Sequence, residues 1–194
     1  MTLKVFFSLT FRVWDRLQQV IKRQACTYLI NYSKLSWKEI YPFNITMPEI
    51  NLTQTEADFL IQIEKHRLDD TVWDFPDLAD SLQIPLISFD KKESFFLDIW
   101  RSQITLKGRY QTRARKIIVL VRLDFGGSSH RNPDDTEILS PHIHLYKEGY
   151  GDKWAYPIQE EHFSSITNLW VTLEEFMRFC HITFPPNIKR GLWI

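Results

Sequence analysis

The sequence predicts an α+β fold, in which a curled, mainly antiparallel sheet of about five strands is flanked by helices near both ends of the chain. Two observations favour this class. Apolar residues at helical spacing occur before and after the strand-like runs, and short polar turns typical of hairpins join the runs to one another. The length of 194 residues suits one domain, or at most two small ones.

Residues 1–46 differ in charge from the rest of the chain. They carry seven basic and two acidic residues, a net charge of +5, whereas the whole chain has 24 of each sign and a formal net charge of zero. Apolar residues from Leu9 to Ile30 recur at helical spacing, which predicts a basic amphipathic helix. We therefore expect a basic, partly helical N-terminal extension over residues 1–46 and a single α+β domain over residues 47–194.

The predicted domain begins with a helix and a hairpin. Thr53 and Glu56 have the spacing of a capping box and precede apolar residues at helical spacing, so a helix is expected to begin there. Strand-like runs follow at residues 84–89 and 95–101. The polar turn at residues 90–93 predicts that these two runs pair as a hairpin.

The segment from Tyr110 to Phe125 is the strongest strand candidate. Residues 117–121 within it form a continuous apolar run rich in β-branched side chains, which is typical of a central strand buried on both faces. The following residues 126–135 are rich in glycine, asparagine and aspartate. They predict an exposed loop directly after the long strand.

A second hairpin and a final helix complete the predicted domain. Residues 142–147 alternate between polar and apolar side chains, and they are joined to a second run at residues 154–158 through a connection in which Gly149 and Gly151 can take positive φ. Near the end of the chain, apolar residues share one helical stripe. They are Leu169, Leu173, Phe176, Met177 and Cys180.

Composition and motifs exclude several classes of protein. Zero net charge argues against a generally basic nucleic-acid coat protein, so any charge effect must be local. There is no apolar run of about 18 residues, which argues against a membrane span. The two cysteines, Cys26 and Cys180, are far apart in sequence, as expected for a reducing cytoplasm. The chain also has no P-loop, dinucleotide fingerprint, nucleophile elbow or zincin motif. We therefore expect a cytoplasmic protein with no membrane partner.

The stretch from residue 101 to residue 122 is the clearest local charge feature, with seven basic residues and no acidic one. In an extended strand, Arg109, Arg113 and Arg115 share one face because side chains alternate with period two. Three guanidiniums on one face suit phosphate groups. The alternative is that these arginines lie at a solvated strand end or pair with acidic residues nearby.

Two histidines on one predicted strand mark the main candidate for chemistry. In residues 141–146, alternation places His142, His144 and Tyr146 on one face and directs Ile143 and Leu145 to the core. Three interpretations are open. The imidazoles bind a transition metal with a further ligand, they act as general base and general acid in phosphodiester cleavage, or they are structural.

Residues on either side of this strand extend the candidate site. Arg122 and Asp124 stand at the end of the predicted central strand, which leads directly to His130 and Arg131. In the second hairpin, Tyr150 is placed to stack on a base, Asp152 to orient an imidazole and Lys153 to hold a phosphate.

The segments at residues 122–134 and 141–155 carry a family resemblance. They resemble a family of small cytoplasmic bacterial proteins of unknown function, and the resemblance extends from about Met47 to Leu192. The chain is also similar, more weakly, to the TumE-like toxins of bacterial toxin–antitoxin pairs, in which an Arg-x-Asp strand end, a following histidine and a Pro-His-x-His segment have the same order. The residues that match this pattern are Arg122, Asp124, His130, His142 and His144.

These observations predict a small toxin-like protein that acts on RNA as a metal-independent endoribonuclease, with RNA as substrate, an antitoxin as partner, and neither metal nor cofactor. The expected catalytic residues are His130, His142, His144 and Asp124. The expected phosphate- or nucleic-acid-binding residues are Arg109, Arg113, Arg115, Arg122, Arg131, Tyr150 and Lys153. The first alternative is a non-catalytic binding or inhibitor protein, such as an antitoxin or a mobile-element interaction module. The second alternative is a metal-dependent enzyme.

Overall fold

The computed structural model describes residues 51–104, 106–164 and 166–190. The predicted extension over residues 1–46, with its amphipathic helix, lies outside the described residues, so the division of the chain at residue 47 stays a prediction. The described helices are α1 (Gln54–Gln62) and α2 (Leu169–Phe179). The described strands are β1 (Lys65–Arg67), β2 (Val72–Asp74), β3 (Ser81–Ser88), β4 (Ser94–Arg101), β5 (Gly108–Ala114), β6 (Ile118–Phe125), β7 (His130–Arg131), β8 (Glu137–Ile138), β9 (His142–Leu145), β10 (Ala155–Pro157), β11 (Ile182–Phe184) and β12 (Asn187–Lys189).

A large, mostly antiparallel sheet forms the centre of the described domain and confirms the α+β class. Its eight strands have the order β10-β9-β6-β5-β4-β3-β1-β11, and β1 and β11 pair in parallel. Two small two-stranded sheets, β2 with β12 and β7 with β8, are not part of its strand order. The sheet is larger than expected because the longest predicted strand is in fact two strands, and because three-residue strands such as β1 and β11 are too short to show a periodic pattern.

The first predicted hairpin is confirmed. Strands β3 and β4 pair antiparallel, with Ile84 opposite Leu97 and Leu86 opposite Phe95. The chain reverses through the predicted polar turn, where the Ser88 backbone N–H donates to the Glu93 carbonyl at 2.9 Å. Alternate side chains of both strands are buried, so one face of this hairpin belongs to the core.

The prediction of one long strand from Tyr110 to Phe125 is wrong. The segment forms strands β5 and β6, which pair antiparallel and are joined by a tight reversal at Arg115 and Lys116, with φ of 49° and 71°. Burial alternates along β5 and through most of β6, so one face of each strand is buried rather than both. Arg-Lys lacks the asparagine and glycine that usually mark such a turn, and for that reason the run gave no sign of a break.

Both described helices begin at a side-chain cap, and the cap of α1 is the predicted one. Thr53 and Glu56 form the capping box at the start of α1, with the Thr53 N–H donating to the Glu56 carboxylate at 3.0 Å. At the start of α2, the Asn168 side chain accepts from the N–H groups of Trp170 and Val171. The predicted apolar stripe of α2 is buried, and it packs with the inner sheet face, where the Tyr110 hydroxyl donates to the Leu169 carbonyl at 2.9 Å.

The helices in the described ranges are short. They have nine and eleven residues, and neither is long and apolar enough to cross a membrane.

On the outer face of the sheet, Asp98 is held in place by polar partners from both neighbouring strands. Its carboxylate accepts from Arg113 Nε at 2.5 Å, from Gln111 at 2.8 Å and from Gln83 at 3.1 Å. Burial by itself raises the pKa of Asp98, but the hydrogen bonds from Arg113, Gln111 and Gln83 outweigh it and keep the pKa below its ordinary value of 3.8.

We predict that Asp98→Asn lowers the free energy of unfolding at pH 7 by about 1–2 kcal/mol. The folded-state pKa is below the unfolded value, so the ionised carboxylate stabilises the fold above pH 3.8, and this contribution is lost as the pH falls through the folded pKa. Urea denaturation at pH 7 and pH 3 should therefore show a gap between variant and parent that narrows in acid. The exposed Asp77→Asn serves as the control, with an expected change within about 0.5 kcal/mol. An Asp98→Asn variant as stable as the parent at pH 7 contradicts the prediction.

Candidate functional site

The register of three antiparallel strands assembles the candidate site. Arg109 of β5 lies opposite Asp124 of β6, which in turn lies opposite His142 of β9. In the next row, Arg122 lies opposite His144. Since side chains alternate across a sheet, both rows stand on the face away from the core, whereas Tyr110, Leu123 and Ile143 between them are core residues.

A small hairpin covers this outer face. Strands β7 and β8 are fastened to the edge strand β10 by Asn132, whose side chain donates to the Ala155 carbonyl at 3.0 Å and accepts from the Ala155 N–H at 2.8 Å. Asn132 is only 6% exposed. The clamp places His130, which begins β7, against the histidines of β9.

The three histidines His130, His142 and His144 form what we term the imidazole cluster. The ring centroid of His144 lies 4.6 Å from that of His130 and 5.0 Å from that of His142, and the His130 and His142 centroids are 5.7 Å apart. One ring nitrogen from each residue lies within 4.8 Å of the nitrogens from the other two. His144 is completely buried, His142 is 4% exposed and His130 is half-buried.

Each imidazole of the cluster has one nitrogen bonded to a backbone carbonyl. His142 Nδ1 lies 3.3 Å from the Leu139 oxygen, His144 Nδ1 lies 2.9 Å from the Asp152 oxygen, and His130 Nε2 lies 2.9 Å from the Lys153 oxygen. A carbonyl can only accept, so these nitrogens carry the proton. In the neutral rings the opposite nitrogens, Nε2 of His142 and His144 and Nδ1 of His130, therefore keep a lone pair.

Asp124 is the anionic centre of the site. One carboxylate oxygen accepts from Arg109 Nε at 2.6 Å, and the other accepts from Arg122 Nε at 3.0 Å. The second oxygen also lies 3.4 Å from His144 Nε2 and 3.9 Å from His142 Nε2. Burial alone raises the pKa of Asp124, but its ion pairs with Arg109 and Arg122 keep the pKa far below the ordinary value. The carboxylate is therefore ionised at neutral pH.

Arg122 joins the anionic centre to the imidazoles. Besides Asp124, its guanidinium contacts the Asp152 carboxylate and donates through Nη2 to His144 Nε2 at 2.9 Å. A guanidinium cannot accept a hydrogen bond, so this contact requires the lone pair of His144 Nε2 and a neutral ring. Burial also lowers the pKa of His142 below its ordinary value of 6.5. The neutral form of His142 is thus favoured by its surroundings.

The predicted phosphate-binding arginines divide into two groups. Arg109 and Arg122 reach the site, while Arg113 pairs with Asp98 and Arg115 pairs with Glu93. Arg113 is four strand positions from Arg109, a separation of about 13 Å, which places it near the other end of β5. Arg131, on the covering hairpin, donates to the Asp135 carbonyl at 3.2 Å. Arg109, Arg113 and Arg115 are therefore paired with nearby acidic residues, which is part of the alternative interpretation of this strand.

The connection between β9 and β10 contributes mainly backbone carbonyl groups, rather than side chains, to the site. Tyr150 is half-exposed and packs edge-on against Trp154, with ring centroids 5.8 Å apart. The Lys153 side chain is exposed while its carbonyl bonds His130. As expected, Gly149 and Gly151 take positive φ, 77° and 61°. A different expectation is wrong: Tyr146 does not join the imidazoles.

Tyr146 lies in the hydrophobic core together with Ile143. Its hydroxyl donates to the Leu52 carbonyl at 3.0 Å and accepts from the Leu52 N–H at 2.8 Å, directly before α1. Strand β9 ends at Leu145, so the alternation that places His142 and His144 together does not continue to Tyr146.

Sequence reasoning missed the residues that hold the imidazoles in place. Asn132 belongs to a segment of turn-forming residues that predicted an exposed loop, and nothing in that segment distinguishes a buried asparagine. The carbonyls of Leu139, Asp152 and Lys153 carry no side-chain signal at all. A backbone contact of this kind becomes visible only in the folded chain.

The chain matches the model of one protein family over most of its length. The model of a family described as "Family of unknown function (DUF6978)" matches residues 52–182. The chain belongs to this family. The matched range contains α1, α2 and the whole candidate site, and it agrees with the expected resemblance to a family of unknown function. No curated protein and no solved structure matches the chain.

We predict that Asn132→Ala releases the covering hairpin from β10. The variant loses both hydrogen bonds to Ala155 and leaves two backbone groups without their partner, which should cost about 1–3 kcal/mol. Amide hydrogen exchange should rise across residues 126–140 and stay unchanged in β3 and β4. The exposed contact of Asn187 with the Asp70 carbonyl, at 3.4 Å, makes Asn187→Ala a matched control. Unchanged exchange over residues 126–140 is the result that contradicts the clamp.

Proposed function

We propose that this member of the DUF6978 family cleaves the phosphodiester backbone of RNA at the imidazole cluster, as a toxin-like protein restrained by a cognate antitoxin. One observation supports the proposal above all: three imidazoles from two strand pairs meet beside Arg122 and Asp124. Neutral imidazole is the usual general base near pH 7, and a guanidinium is suited to the charge that develops on a phosphate.

The proposed reaction needs no metal ion. The ribose 2′-oxygen attacks phosphorus and the 5′-oxygen leaves, so one group must take the 2′-hydroxyl proton and another must protonate the leaving oxygen. His142 or His144 takes the first role in its unprotonated form, and the other or His130 takes the second role in its protonated form. Arg122 stabilises the phosphate in the transition state once the phosphate displaces the Asp152 carboxylate from its guanidinium. Asp124 stabilises the imidazolium that forms when a neutral ring beside it takes the proton.

Access to this site is expected past the covering hairpin. His130 is half-buried, and the side chains of Arg109 and Asp152 are 45% and 32% exposed. A phosphate entering there meets Arg109 and Arg122 before it reaches His144. The exposed ring of Tyr150 lies on the adjoining connection, where it is available to stack on a base.

A second candidate is a non-catalytic binding or inhibitor protein. The complete burial of His144 and the engagement of Arg122 by two carboxylates favour it, because catalytic groups must reach the substrate. This candidate predicts that a partner co-purifies with the chain and that RNA is not turned over.

The deciding experiment is an RNA cleavage assay in the presence of a metal chelator. His142→Ala with His144→Ala should reduce cleavage by about 100-fold or more, because general acid–base catalysis contributes at least that factor. His130→Ala, which alters a half-buried residue of the hairpin, gives a second variant if the double variant fails to fold. His162→Ala, on the exposed turn before α2, is the matched control.

The outcomes separate the candidates. A folded double variant that cleaves RNA as fast as the parent contradicts the catalytic assignment. A parent protein that binds RNA without cleaving it favours the non-catalytic candidate. Circular dichroism of each variant establishes that the fold is retained.

A further inference from the structure

We infer that the imidazole cluster is a binding site for one divalent transition-metal ion, with His130, His142 and His144 as its ligands. The inference concerns binding alone, so it stands whether or not the chain cleaves RNA.

The spacing of the three imidazoles suits such a site. Zinc is bound by histidine nitrogens at about 2.0–2.1 Å, so nitrogens at two corners of a tetrahedral site are about 3.4 Å apart. One ring nitrogen of each imidazole lies within 4.8 Å of one nitrogen of each of the other two. To bind one zinc ion, each pair of nitrogens must therefore approach by no more than about 1.4 Å.

The second observation is the hydrogen bonding on the far side of each ring. Metal-binding histidines characteristically donate their other N–H to a carbonyl or carboxylate, which fixes the ring orientation and makes the ligand nitrogen more basic. All three imidazoles have such a contact, with the carbonyls of Lys153, Leu139 and Asp152. Three histidines held in this way on two separate hairpins form a preorganised ligand set.

The surrounding charges both support and oppose a cation. The Asp124 carboxylate, 3.4 Å from His144 Nε2 and 3.9 Å from His142 Nε2, supplies negative charge at the cluster. Against this, Arg122 Nη2 is bonded to His144 Nε2 at 2.9 Å, the nitrogen that would bind the metal. Metal entry must break that contact, but Arg122 keeps its bonds to Asp124 and Asp152 through its other nitrogens. Arg122 is therefore expected to compete with the metal.

The chemistry of the ligands narrows the class of metal. Imidazole suits zinc, copper, nickel, cobalt and iron, whereas magnesium and calcium prefer oxygen ligands. Three protein nitrogens leave a fourth tetrahedral position for water or an exogenous ligand. The metal also uses the lone pairs that metal-independent cleavage of RNA requires. If both proposals hold, added zinc inhibits that cleavage.

The test is a titration of metal-free full-length protein with Co²⁺, followed by its visible d–d absorption. We expect saturation at one Co²⁺ per chain, a band typical of tetrahedral coordination, displacement by Zn²⁺ and no effect of Mg²⁺. His130→Ala should weaken binding by about 100-fold or more, since it removes one of three ligands from a half-buried position. His142→Ala and His144→Ala should do the same if they fold. His162→Ala and His181→Ala are the controls.

A second arm concerns Arg122. Arg122→Gln should tighten Co²⁺ binding by about 10-fold or more, because it removes the cation that competes for His144 Nε2. If Arg122 only stabilises the fold, Arg122→Gln would weaken Co²⁺ binding or leave it unchanged. Absence of a saturable Co²⁺ band in the parent, or a band that survives in the His130→Ala variant, overturns the metal site. Cleavage of RNA by chelator-treated protein is measured in a separate assay. The Co²⁺ titration therefore tests the metal site alone, and the cleavage assay tests the proposed function alone.

Discussion

The antiparallel register of β5, β6 and β9 is the constraint on which the candidate site depends. It sets Asp124 opposite His142 and Arg122 opposite His144, and so brings together residues that are about 20 positions apart in sequence. A slip of one residue would turn both histidines toward the core. Ile143, buried between them, opposes such a slip because it would have to leave the hydrophobic cluster. Core packing and the site are thus fixed by the same pairing.

The covering hairpin changes what this sheet face can do. The outer face of an antiparallel sheet is commonly solvated, but here β7 and β8 exclude water from His142 and His144. Exclusion of water favours the neutral form of His142 and strengthens the hydrogen bond from Arg122 to His144. Metal binding and the general-base step of the proposed cleavage both require unprotonated ring nitrogens. The hairpin therefore contributes to both proposed activities by excluding water, although it supplies only one of the three imidazoles.

The sequence predicts the parts of the fold that depend on local patterns. The capping box at Thr53, both hairpins of the alternating runs and the apolar stripe of α2 follow from spacing within a few residues. The break in the run at residues 110–125 could not be predicted, because two consecutive positive-φ residues, Arg115 and Lys116, are imposed by the pairing of β5 with β6 rather than by their own preferences. Period-two alternation also predicts which groups face outward. It does not predict that Arg113 would meet Asp98, 15 positions away, or that Asn132 would be buried.

The tautomers of the three imidazoles test the account most directly, because convergence, carbonyl bonding and exclusion of water together determine them. Nitrogen-15 NMR of histidine-labelled protein should show the neutral rings of His142 and His144 protonated at Nδ1, and the neutral ring of His130 protonated at Nε2. Proximity should add contacts between the ring protons of His130 and His144. Three rings that average between tautomers, as expected for the exposed His162, would show that the cluster does not exist in solution.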